Sequence, residues 1–61
     1  MKTYKVKGKE YVIEIRWEIW DGKPQKGAAI YKKSGNGILN FVTFLPHVYT
    51  HKKATEYLKR D

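Results

Sequence analysis

Hydropathy alternates over ten residues, Tyr11 to Trp20, more regularly than anywhere else in the chain, and this constrains the fold most. Tyr11, Ile13, Ile15, Trp17 and Ile19 occupy one phase; Val12, Glu14, Arg16, Glu18 and Trp20 occupy the other. In an extended chain successive side chains point to opposite faces, so a period of two predicts a half-buried strand. One face is apolar and the other mixed. Trp17, on the apolar face, is expected in the core.

The flanking segments supply partners for this strand. Thr3 to Lys7 also alternates, and Gly8-Lys9 is a candidate two-residue turn with glycine first. That register sets Val6 opposite Tyr11, Tyr4 opposite Ile13, and Lys7 opposite Glu10 as a favourable cross-strand charge pair. Asp21-Gly22-Lys23-Pro24 reads as the next turn and Gln25 to Lys33 as the next strand. Ser34-Gly35-Asn36-Gly37 contains Asn-Gly, a strong hairpin signal; Ile38 to Leu45 returns as a strand that Pro46 stops. Thr50 is a candidate helix N-cap, followed by an apolar stripe of Ala54, Tyr57 and Leu58. Lys52–Glu56 and Glu56–Arg60 have the spacing of helical ion pairs. So short a helix is marginal alone and must dock on the sheet. The expected class is mainly β, in one domain over residues 1–61. It is a small antiparallel sheet or SH3-like barrel of four to five strands, with a short C-terminal α-helix.

At 61 residues the core is thin, since a chain of this length buries only ~60% of its unfolded surface. With no cysteine and two histidines, disulfides and thiolate metal sites are excluded. Stability falls to packing by the aromatics, 15% of residues, and to self-association. The net charge of +7 favours a polyanionic partner that relieves the self-repulsion. No apolar run approaches the ~18 residues of a membrane span, and residues 1–9 lack a signal-peptide core. A cytoplasmic, nucleoid-associated protein is the expectation. Scarce Gln, Asn and Met beside abundant Lys and Glu follow the thermophile trend.

Catalytic patterns are sparse. Ser34, the only serine, lies in a turn, and no glycine-rich phosphate loop leads into a helix. His47 and His51 are four apart, but Pro46 and the Thr50 cap place His47 before the helix, with no carboxylate or cysteine nearby. Glu14 and Glu18 flank Arg16 and read as its salt-bridge partners. No enzymatic activity, metal or cofactor is expected.

The mixed face is the informative surface. With Trp20 opposite Gln25, Arg16 faces Ala29, Glu14 faces Tyr31 and Val12 faces Lys33. Lys5, Lys7, Arg16, Trp20, Tyr31 and Lys33 then share one face, with Gly27 and Ala29 leaving room for a ligand. Lysine and arginine neutralise phosphates and release counterions, while Trp and Tyr stack on exposed bases at ~1–3 kcal/mol each or wedge into a widened minor groove. Lys52, Lys53, Lys59 and Arg60 form a second basic group, read as a solvated helix face.

Two resemblances bear on these residues. Small size, positive charge, the opening hairpin Tyr4–Ile13, the later glycine-containing hairpin and the C-terminal helix resemble the small basic chromatin proteins of crenarchaea. That implies an archaeal, SH3-like or related β fold that coats and bends DNA without sequence preference. Locally, Lys7-Gly8-Lys9, Ile13-Glu14-Ile15-Arg16, Asp21-Gly22-Lys23-Pro24 and Lys26-Gly27-Ala28-Ala29-Ile30 resemble the single-stranded-DNA-binding core of the positive-cofactor-four coactivators. This resemblance implies a curved sheet gripping single strands, with Lys7, Lys9, Arg16, Lys23 and Lys26 near the path. The expected function is sequence-independent binding of duplex or single-stranded DNA, by a monomer or homodimer. RNA binding and docking on an acidic protein are the alternatives.

Overall fold

A computed structural model describes residues 2–60. The chain forms β1 (Thr3–Val6), β2 (Lys9–Trp20), β3 (Lys23–Lys33), β4 (Leu39–Pro46) and α1 (His51–Lys59). All four strands lie in one antiparallel sheet in the order β1-β2-β3-β4, so each strand pairs with its sequence neighbour and β1 and β4 are the edges. Mainly β with a short C-terminal helix is therefore the fold, realised as an open meander. Among the described residues no helix is long and apolar enough to cross a membrane.

Both early turns differ from expectation in the same way. The first is Lys7-Gly8, with φ of 53° and 80°, and the second Asp21-Gly22, with φ of 55° and 74°. Two consecutive left-handed residues are the hairpin turn whose twist matches that of the strands, and glycine takes the second place in each. Tyr4 consequently pairs with Tyr11 and Val6 with Lys9, and Glu10 faces Lys5 in place of Lys7. Trp20 pairs with Lys23, Arg16 with Gly27, Glu14 with Ala29 and Val12 with Tyr31. Each partner has moved by two residues. Because the side-chain period is also two, the paired residues keep their expected faces; Lys7, expected on the mixed face, falls in the turn instead. Pro24 falls inside β3, where β4 does not reach and an edge position tolerates a missing N–H. The third turn is a three-residue loop: Ser34 N–H donates to the Ile38 carbonyl at 2.9 Å, and Gly37 adopts φ 84°.

The helix covers one face of the sheet. Ile13, Ala28, Ile30 and Ala54 are buried together, with Tyr4, Tyr11, Ile15, Leu45, Val48 and Leu58 packed around them. Thr50 caps the helix as its sequence predicts, accepting from Lys53 N–H at 3.2 Å. The hydroxyl of Tyr4 hydrogen-bonds His51 Nδ1, tying the first helical turn to β1. Of the expected stripe, Ala54 and Leu58 pack inward, whereas Tyr57 remains half exposed. Neither Lys52–Glu56 nor Glu56–Arg60 closes to ion-pair distance; among the described residues both ion pairs belong to Arg16.

No helix covers the other face, yet Val12, Ala29 and Phe44 are buried there. The sheet covers itself. Phe44 pairs with Ala29, which pairs with Glu14, so Trp20 lies six residues along β2, about 20 Å in a flat strand. The rings of Trp20 and Phe44 nevertheless stand 5.4 Å apart. The Phe44 ring leans tipward over Gly27, and the hairpin tip curls toward the open face enough for the two rings to meet. The same curl carries the opposite face of the tip away from the helix. Trp17, expected in the core, is 67% exposed, and Ile19 on the same face is 69% exposed. The expected room at Gly27 is also absent: a Cβ there would stand 2.1 Å from the Leu45 carbonyl oxygen and 2.9 Å from the Phe44 ring. The missing side chain admits the protein's own β4, not a ligand.

Candidate nucleic-acid interface

The nine candidate residues divide among three places. Lys5, Arg16, Trp20, Lys23, Tyr31 and Lys33 lie on the open face; Lys9 and Lys26 lie on the helix-side face, opposite Val6 and Trp17; Lys7 occupies the first turn.

The centre of the open face is committed to itself. Arg16 Nη1 donates to Glu14 at 2.7 Å and Nε to Glu18 at 2.5 Å, while Nη2 donates to the Tyr31 hydroxyl. The guanidinium carbon also lies 5.4 Å from the Tyr31 ring centroid. Partial burial pulls the Arg16 pKa down, but its hydrogen bonds to Tyr31 and Glu18 outweigh that and raise it above the ordinary value. Arg16 is therefore a permanent cation held between two carboxylates, and the cluster carries a formal charge of −1. Trp20 packs on Phe44 and accepts at its carbonyl from Gln25 Nε2 at 2.7 Å. Tyr31 meets Phe41 edge to face at 5.7 Å. The expected reading of Glu14 and Glu18 as salt-bridge partners holds. The positive potential thus sits at the rim of this face, not at its middle.

The rim is densest where the first turn meets the end of β3. Lys5 and Lys33 face Glu10 from the strands on either side, Lys32 pairs with Tyr11, and Lys7 and Lys9 flank Gly8. Five lysines thus collect at this end of the sheet, Lys5 and Lys33 on the face of Glu10, Lys9 and Lys32 on the helix side, and Lys7 in the turn between. Beside them, on the helix side, a cavity of about 600 Å³ runs past Lys7, Lys9, Tyr11, Thr43, Tyr57 and Leu58. Sequence reasoning missed Lys32, Tyr11 and Tyr57 as parts of a site. Lys32 was detectable, since its alternation with Tyr31 and Lys33 puts it on the other face. Tyr11 and Tyr57 read as core positions, and only the short reach of the helix over the sheet leaves them beside a cavity.

The remaining polar groups have local partners. His47 Nδ1 lies 3.0 Å from the Tyr49 hydroxyl, while His51 is bonded to Tyr4, so the two histidines do not converge. Among the described residues no three His, Asp or Glu side chains cluster as metal ligands. Lys52, Lys53, Lys59 and Arg60 are exposed on the helix. No family model, characterised protein or solved structure matches this chain.

Proposed function

We propose that the protein binds DNA without regard to sequence, through the lysine cluster at the β1–β2 turn and the end of β3. One observation carries this reading. Of thirteen Lys and Arg residues, Arg16 alone has a carboxylate within ion-pair distance among the described residues, and five lysines collect at one end of the sheet, where Glu10 is the one acidic residue. Lysines without carboxylate partners repel one another and gain most from phosphates, whose displaced counterions drive association. Lys7, Lys9, Lys32 and Lys33 form the primary phosphate contacts, with Lys5 beside them. Lys23 and Lys26 extend the basic surface to the hairpin tip. Aromatic contact falls first to Trp17, which is exposed next to Lys26, and less to Trp20 and Tyr31, which already serve the fold. Arg16 acts as a structural cation.

A mobility-shift titration at low and moderate salt tests the proposal. Affinity for duplex DNA should fall steeply, with a slope of about −0.9 per phosphate contact on logarithmic axes. Changing Lys7, Lys9 and Lys33 together to alanine should weaken binding across all sequences and reduce that slope by about 3. An affinity that stays flat as salt rises rejects the reading. Running single-stranded DNA and RNA in parallel ranks the three polyanions.

A further inference from the structure

We propose that two copies of this chain pair along the outer edge of β4, over residues 38–41, joining their sheets across a two-fold axis. The observations come from the two edges of the sheet, which are built in opposite ways. Edge β1 is four residues long, carries Lys5, is flanked by Lys2 and Lys7, and packs against the helix. Short length, lysines and a covering element are the usual devices that keep an edge from pairing. Edge β4 is eight residues long and has none of these lysines. In a chain that is 31% charged, no Asp, Glu, Lys or Arg occurs from Ser34 to Thr50.

The β4 edge is also where apolar surface collects. Eight large hydrophobic residues are exposed in the described chain, and four fall within one short stretch: Ile38 at 56%, Leu39 at 36%, Phe41 at 53% and Val42 at 46%. Strand β4 pairs only with β3, so its outward N–H and C=O groups have no strand partner among the described residues. The register breaks opposite Ile30 and Tyr31, leaving Val42 as the extra residue of a bulge. A bulge twists the strand locally, which ends the flat segment at Phe41.

Charge selects the occupant. Two copies at +7 each repel where lysines face one another; β4 itself carries no charge, and the nearest lysines, Lys32 and Lys33, stand one strand behind it, opposite Asn40 and Leu39. An acidic partner gains no ion pair from β4 itself and is drawn to the lysines of the three other strands instead. Antiparallel self-pairing is isologous, each copy offering the same segment, and closes at a dimer. It places the four apolar side chains of one copy beside those of the other.

Sedimentation equilibrium tests this on the intact protein. With rising concentration the mass should move from 7.2 kDa toward twice that value. The dimer fraction should increase between about 0.05 and 0.5 M salt, because screening weakens the repulsion between copies. Association with a polyanion or an acidic protein has the opposite salt dependence, so failure here and failure of the proposed DNA binding are separately visible. The double substitution Ile38→Lys/Val42→Lys, with circular dichroism to verify the fold, should hold the mass at the monomer value. Native protein that stays monomeric at about 1 mM and high salt overturns the proposal, as does a folded double variant that still doubles its mass. If the variant does not fold, amide exchange of the native protein decides. Protection that grows with concentration at residues 38–41 supports the pairing, and unchanged exchange there refutes it.

Discussion

The base and the tip of the β2–β3 hairpin share one alternating sequence and have different environments. At the base, Ile13 and Ile30 lie under the helix while Val12 and Ala29 are buried on the other face, so both phases of the alternation are buried. At the tip, Trp20 rests on Phe44, but Trp17 and Ile19 face solvent. Alternation reports which face a side chain is on. Whether anything covers that face depends on elements elsewhere in the chain, and α1 is too short to reach the tip. The curl toward the open face then protects one aromatic by exposing another.

Substitutions can break this comparison. Phe44→Ala removes the buried ring on which the tip folds and should cost about 3–5 kcal/mol, against ~5 kcal/mol for the whole stability of a small domain. Urea denaturation should find it largely unfolded; a well-folded variant would mean that the curl rests on something else. Gly27→Ala should follow at about 2–3 kcal/mol, because its Cβ meets a backbone carbonyl and β4 must move off β3. Trp20→Ala should cost about 2 kcal/mol, less than a fully buried aromatic, since the ring is only half-buried. Thr50→Ala, which loosens the helix over the base alone, should cost about 1 kcal/mol. Trp17→Ala should change stability by less than ~0.5 kcal/mol. Acrylamide should quench Trp17 in the Trp20→Phe variant more strongly than Trp20 in the Trp17→Phe variant. Equal costs or equal quenching for the two tryptophans would place both on the same footing and dissolve the contrast.

Much of the fold was legible because the errors were of a harmless kind. Taking Gly8-Lys9 and a four-residue Asp21–Pro24 segment as turns mispaired both hairpins, yet each displacement was two residues, and a displacement of two preserves faces. The positions of Thr50, Pro46 and the Asn36-Gly37 turn are local signals and needed nothing from the rest of the chain. The candidate site was less legible. Lys5, Arg16, Trp20, Tyr31 and Lys33 do share a face, but that Arg16 is held by Glu14, Glu18 and Tyr31 depends on side-chain reach across two strands. Gly27 looked like space because small residues leave room in one strand, whereas the neighbouring strand decides whether the room is filled.

By itself the sequence determined the strand alternation, the faces, the helix cap and the surplus of cations, all properties of neighbours along the chain. Tertiary structure decided which cations remain without carboxylate partners, which tryptophan is covered, and which edge of the sheet is left apolar and open. Those outcomes depend on the curl of a long hairpin over Phe44 and on the reach of a nine-residue helix, and both bring together residues far apart in sequence.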